Sequence, residues 1–98
     1  MAGRMIRLII QGPEEKTTES FSEQLSNQLA TMIAQSQEAI RLLGPAAAPI
    51  SKLRFRFHLL LQAANGKQLR SLVATTVQAS KCPGDLQLLI DVDPLSLL

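Results

Sequence analysis

Residues 53–64 read Leu53-Arg54-Phe55-Arg56-Phe57-His58-Leu59-Leu60-Leu61-Gln62-Ala63-Ala64. Side chains on a β-strand alternate between its two faces. Leu53, Phe55, Phe57, Leu59 and Leu61 therefore share one side, and Arg54, Arg56, His58, Leu60 and Gln62 the other. The period of two, with phenylalanines at its start, predicts a strand over Leu53–Ala64. Two of the three phenylalanines of the chain lie on its apolar side. The stretch reads as a central strand whose inner face anchors the core and whose outer face carries basic groups.

The flanking sequence supplies partners for it. Arg4–Gln11 alternates in the same way, with Ile6, Leu8 and Ile10 inward and Met5, Arg7 and Ile9 opposite. Both of its faces are largely apolar, which predicts an interior strand. Gly12-Pro13 ends it. From about Glu14 to Gln37 the period becomes helical, with Phe21, Leu25, Leu29, Met32 and Ile33 forming one stripe. Ser20 and Glu23 have the spacing of a capping box, although a start near Pro13 also fits. Ile40 and Leu42 predict a short second strand, and Gly44-Pro45 and Pro49 then predict an extended, turn-rich connector.

After the opening stretch, Asn65 and Gln68 have the spacing of an N-cap and its third residue, with a stripe at Leu69, Leu72, Val73, Thr76 and Val77. Cys82-Pro83-Gly84 is expected to stop this second helix. Leu86–Val92 reads as the last strand, with Leu86, Leu88, Ile90 and Val92 inward. The order β-α-β-β-α-β, with right-handed crossovers, predicts an α+β ferredoxin-like fold: a four-stranded sheet with two helices on one face. Residues 1–98 are expected to form a single domain.

Composition narrows the function. The 98 residues are 46% hydrophobic, enough for a core, and contain one cysteine, Cys82, so no internal disulfide can form. No targeting segment is visible and no apolar run is long enough to span a membrane, which fits a cytoplasmic setting. The net charge is +2, but its distribution is uneven. Between Glu38 and Asp85 there is no acidic residue, whereas Arg41, Lys52, Arg54, Arg56, Lys67, Arg70 and Lys81 are basic. A one-signed field of this kind suits a polyanion, the alternative being an ordinary solvated face.

Extending the alternation across the sheet places Arg7, Arg41, Arg54, Arg56 and His58 on the uncovered side, together with Met5, Ile9, Leu43, Leu60 and Leu89. Such an apolar patch bordered by arginines is expected to meet another domain, a second subunit or a nucleic acid backbone. Catalytic chemistry is not apparent. His58 is the only histidine, and a nucleophile or metal site needs partners for it. Asp91 and Asp93 share a strand face, but a turn at Asp93-Pro94 explains them better than a cation site. Phe55 and Phe57 face the core and are not base-stacking candidates.

The connector Leu43-Gly44-Pro45-Ala46-Ala47-Ala48-Pro49-Ile50, the Leu53–Ala63 strand and the closing Leu88–Leu98 run, with Ile90-Asp91-Val92-Asp93-Pro94 its most distinctive part, resemble one family. It is that of the C-terminal domains of primosomal protein N′, the PriA replication-restart DNA helicase. The resemblance spans nearly the whole chain. It implies a ferredoxin-like accessory domain of a multidomain ATP-dependent helicase, one that helps bind branched DNA and packs on the helicase core. It also implies a share in capturing the acidic C-terminal tail of single-stranded DNA-binding protein. ATP and zinc are expected in other domains of such a parent, and no cofactor, metal or catalytic residue in this chain. DNA contacts fall to Lys52, Arg54 and Arg56, with Arg7 and Arg41 in support. The family's second helix often opens Pro-Ser-Arg; here Ala64-Asn65-Gly66 stands in its place, leaving Lys67 and Arg70 as the tail-binding candidates. A free-standing regulatory domain, dimerising through its open sheet face, is the alternative from another class.

Overall fold

The computed structural model describes residues 3–51 and 54–93, so Lys52, Leu53 and the closing Pro94–Leu98 lie outside the described residues. In chain order the elements are β1 (Arg4–Gly12), α1 (Glu15–Ser36), β2 (Ile40–Ser51), β3 (Arg54–Ala63), α2 (Gly66–Ala79) and β4 (Gln87–Val92). The strands form one sheet in the order β2-β3-β1-β4, every neighbouring pair antiparallel. β1 and β2 are thus parallel with β3 between them, and β3 and β4 are parallel with β1 between them. This is the expected ferredoxin-like α+β arrangement, with β1 and β3 central.

Both helices lie on one face. Ile6, Leu8 and Ile10 of β1 and Leu59 and Leu61 of β3 pack with Phe21, Leu25 and Leu29 of α1 and Leu69, Leu72 and Val73 of α2. Phe57 is buried on the same side. α1 begins at Glu15, as soon as Gly12-Pro13 breaks the strand, and not at Ser20. Ser20 and Glu23 are exposed residues within the helix, so they form no capping box. Glu14 occupies the cap with extended backbone and no side-chain cap. Its carbonyl instead accepts from the Thr18 backbone N–H at 3.1 Å and from the Thr18 hydroxyl at 2.5 Å. α2 opens as expected, the Asn65 side chain accepting from the Gln68 backbone N–H at 3.1 Å. It ends at Ala79, before the Cys82-Pro83-Gly84 break, because Ser80 caps it: the Ser80 N–H bonds the Thr76 carbonyl at 2.9 Å.

The connector reading of Gly44–Ile50 is corrected. The chain remains a strand through both prolines, for two reasons. β2 is an edge strand, with a neighbour on one side alone, and each proline sits in a bulge. Leu43 pairs with Leu60 but Ala46 with His58, so Gly44 and Pro45 together oppose Leu59; likewise Pro49 and Ile50 oppose Phe55 between the Ala48–Arg56 and Ser51–Arg54 pairs. A bulge absorbs the missing N–H of proline without breaking the ladder. Gly44 has φ +99°, and a β-carbon there would lie 2.5 Å from the His58 carbonyl oxygen, so no other residue fits the first bulge without moving backbone.

A second correction concerns β4. Leu86 is buried and Leu88 half-buried, but Ile90 and Val92 are 47% and 46% exposed. They pair with Leu8 and Ile6 and so do face the helix side; the helices pack over β1, β3 and β2 and leave the far end of the β4 edge uncovered.

The face assignment predicts a contrast measurable by urea denaturation. Leu59→Ala, at a fully buried central position, should cost about 3 kcal/mol. Leu89→Ala, on the uncovered face, should change stability by less than about 0.5 kcal/mol. Equal losses would reverse the assignment.

Candidate nucleic-acid interface

The face away from the helices is built in rows set by the strand register. Residues paired across antiparallel strands point to the same side. One row runs Arg41–Gln62–Met5, the next Leu43–Leu60–Arg7–Asp91, the next Ala46–His58–Ile9–Leu89, and the next Ala48–Arg56–Gln11–Gln87. Arg54 follows opposite Ser51. The structure therefore brings Arg7, Arg41, Arg54, Arg56 and His58 onto one face, with the apolar set expected from the alternation. Arg41 at one end and Arg54 at the other are separated by eight residues of β3, roughly 27 Å along the strand. Lys52 lies outside the described residues.

The arginines differ in how they are held. Arg41 and Arg54 are exposed. Arg56 is half-buried, and its Nε donates to Gln11 Oε1 at 2.9 Å, while the Gln11 amide donates in turn to Gln87 Oε1. This relay across β3, β1 and β4 fixes the guanidinium without neutralising it. Arg7 Nη2 donates to Asp91 Oδ2 at 2.8 Å, a half-buried ion pair worth at most about 1 kcal/mol. The pairing answers Arg7's charge within the sheet, so Arg7 offers less to an external anion than its place on the face suggests. Its Nε is buried and has no hydrogen-bond partner.

Gln11, Gln87 and the Arg7–Asp91 pairing were not foreseen from the residues alone. A signal was present: Arg7 and Gln11 are four apart on β1, as are Gln87 and Asp91 on β4, so a single antiparallel register satisfies both contacts at once. Asp93 has a different role from a cation ligand. It takes a positive φ of 48°, its carboxylate accepts from the Met5 backbone N–H at 3.0 Å and from Arg4 Nη1 at 3.2 Å, and its own N–H bonds the Met5 carbonyl. It closes the β4–β1 ladder. Among the described residues no group of three or more His, Cys, Asp and Glu side chains is placed to hold a metal ion, and no helix is long and apolar enough to cross a membrane.

Beside the arginines, the first β2 bulge opens a shallow cleft of about 250 Å³ lined by Arg7, Leu43, Gly44, Ala46, His58 and Leu60. Burial, and then the charges of Arg7 and Arg56, hold the His58 ring below its ordinary value of 6.5. The ring is therefore neutral at neutral pH.

The second basic group lies where α2 begins, just beyond the Ala63 end of β3 that pairs with Arg4 and Ile40. The first turn of α2 has no acidic residue, and Lys67 and Arg70 are both exposed. Arg4 and Arg70 lie over Gly66: a β-carbon there would be 2.6 Å from Arg4 Cγ and 3.0 Å from Arg70 Nη1. The glycine makes room for two guanidinium side chains against a helix N-terminus. Cys82 is exposed, and burial and then Asp85 push its thiol up, away from the reactive thiolate.

The lowered His58 value has a consequence for stability. The unfolded chain protonates His58 before the folded one does, so its contribution is complete above pH 6.5 and is lost as the pH falls from there through the folded value. Acid-side denaturation midpoints should fall over that window in the wild-type chain. His58→Gln should flatten the dependence there. Asp91→Asn, which leaves Arg7 uncompensated, should lower the His58 titration point further, measured from the ring proton shifts. An unmoved His58 titration would sever the proposed coupling.

Comparison with known proteins agrees with this architecture. No curated protein sequence matches the chain. Among solved structures, the de novo designed protein Foldit4 superposes with a TM-score of 0.68 at 7% identity, covering 96% of this chain and 99% of that one. The de novo designed protein LFR1 1, with a ferredoxin fold, gives 0.61 at 9% identity, covering 100% and 91%. A hydantoinase/carbamoylase family amidase from Burkholderia ambifaria gives 0.57 at 17% identity, covering 93% of this chain and 27% of that one. These likenesses are of fold alone. Residues 2–95, from before β1 to beyond β4, match the primosomal protein N C-terminal domain, and with that span the chain belongs to the family of primosomal protein N C-terminal domains.

Proposed function

We propose that this domain binds DNA through the uncovered face of its sheet, as an accessory domain of a replication-restart helicase. Family membership ties the chain to the primosome. The observation that carries the DNA reading is the set of guanidiniums on one bare sheet face, with the acids of the β4 edge, Asp91 and Asp93, already engaged by Arg7 and Arg4. Arg54, Arg56 and Arg41 are the principal phosphate contacts in this reading, with Lys52 beside them in sequence and Arg7 in support. Contacts of this kind give affinity without sequence preference and weaken steeply with salt. Leu43 and Leu89, 40% and 45% exposed on the same face, suit packing against another domain of the helicase. The isolated chain supplies no catalytic step; ATP hydrolysis and unwinding belong to other domains of the parent.

A second reading rests on α2. The crowding of Arg4 and Arg70 over Gly66, beside Lys67 and a helix N-terminus free of acids, suits the carboxylates of an acidic peptide such as the tail of single-stranded DNA-binding protein. The two readings use different residues and separate cleanly by mutation.

Titration of a labelled forked oligonucleotide at several salt concentrations tests the first. Arg54→Ala/Arg56→Ala should weaken binding and reduce the slope of log affinity against log salt by roughly 2. Unchanged affinity with a flat salt response would remove the DNA assignment. Lys67→Ala/Arg70→Ala should abolish binding of an acidic tail peptide while leaving fork binding intact; loss of both together would contradict two separate surfaces.

A further inference from the structure

We propose that His58 is a proton-linked phosphate contact: a DNA phosphate seated against Arg56 at the mouth of the β2-bulge cleft also accepts a hydrogen bond from protonated His58, so that binding takes up a proton. The inference rests on the DNA reading above and adds to it a residue and a pH dependence.

The geometry carries the argument. His58 lies on β3 two residues from Arg56, on the same face, and one row from Arg7. Ala46 is its neighbour on β2 and Ile9 on β1, so the β2 side of the ring is flanked by a methyl group alone and neither paired neighbour is acidic. Gly44, the residue of the bulge nearest its backbone, has no side chain to fill the cleft. The two arginines each have an internal acceptor, Asp91 for Arg7 and Gln11 for Arg56. The His58 ring nitrogens have no hydrogen-bond partner among the described residues. It is thus a half-buried imidazole in a cleft, with hydrogen-bonding capacity unused by the fold.

Charge supplies the linkage. The charged groups facing His58 are Arg56 from its own strand and Arg7 from β1, the latter offset by Asp91 on β4; β2 contributes none nearer than Arg41, two rows away. In the free domain the guanidiniums oppose a third positive charge, and the ring stays neutral. A phosphate brought into the cleft reverses that balance, since an opposite charge at contact distance favours the imidazolium, which then donates from both nitrogens. Between the ring's free and bound titration points, one proton is taken from solvent on each binding event. Affinity must then rise as pH falls, by up to tenfold per pH unit for one full proton.

The chain offers an unusually clean test, because His58 is its only histidine and phosphodiesters do not titrate in the relevant range. Affinity for a labelled forked oligonucleotide, measured at constant salt from pH 7.5 to 5.5, should rise several-fold in the wild-type chain. His58→Gln should lose that rise, its affinity staying flat across the same pH range. In parallel, and without any variant, the His58 ring proton shifts should titrate at higher pH with DNA bound than without. A pH response identical in wild type and His58→Gln, or a ring titration unmoved by DNA, would overturn the proton-linked contact while leaving DNA binding standing. Absence of fork binding at every pH would overturn the DNA reading and this contact with it.

Discussion

The fold depends on β1 being held in register between β3 and β4. Ile6, Leu8 and Ile10 must point to the helices for the core to close, and a slip of one residue would exchange them for Met5, Arg7 and Ile9. The hydrophobic alternation specifies this register from the buried side. The polar relays specify it from the other: Arg7 meets Asp91 and Gln11 meets Gln87 only when β4 is paired as observed. Two independent sets of contacts, on opposite faces of one strand, thus agree on a single alignment. Asp93 adds a third at the strand end through the Met5 backbone.

The same register gives the uncovered face its character. An exposed arginine is ordinarily mobile, and ordering it on binding costs side-chain entropy, on the order of 1–2 kcal/mol. Arg56 is partly relieved of that cost, because Gln11, itself buried and tied to β4, already fixes its Nε. Arg7 is held more firmly still, but by a carboxylate that satisfies its charge. The face therefore contains three kinds of guanidinium: Arg7, which stabilises the sheet, Arg56, oriented with charge to spare, and the exposed Arg41 and Arg54. Treating every basic residue on the face as an equal contact would miss this division.

Much of this was legible in the residues. The alternation at Ile6–Ile10 and Phe55–Leu61, the stripes at Phe21–Leu29 and Leu69–Thr76, and the Asn65 cap each have a local cause, so the element order and the membership of the open face followed from them. What was not legible depended on neighbours. A proline-rich run such as Gly44–Ile50 reads as a strand only when its place at the sheet edge is known, because an edge has ladder positions that need no N–H. Ser20 and Glu23 have capping-box spacing, yet the helix had already started at the break that Gly12-Pro13 imposes. Ile90 and Val92 have the correct phase for burial, and their exposure reflects where the helices end, which no strand pattern records. Asp91 was visible as an acid, but its partner emerges only from the pairing of β1 with β4.

The bulge at Gly44-Pro45 links these points to the candidate site. A regular ladder continued from the Leu43–Leu60 pair would set position 45, a proline, beside His58. Inserting one residue shifts the phase, so that Leu43 stands over Leu60 and the small Ala46 over His58, with a glycine between. The backbone at Gly44 approaches the His58 carbonyl too closely for a β-carbon, which keeps this opening free of any larger side chain. Features that weaken a strand by ordinary propensity, a glycine and a proline in succession, are thus what leave an imidazole reachable between two arginines. At an edge, where they cost little, they convert a flat sheet surface into one with a cleft of definite chemistry.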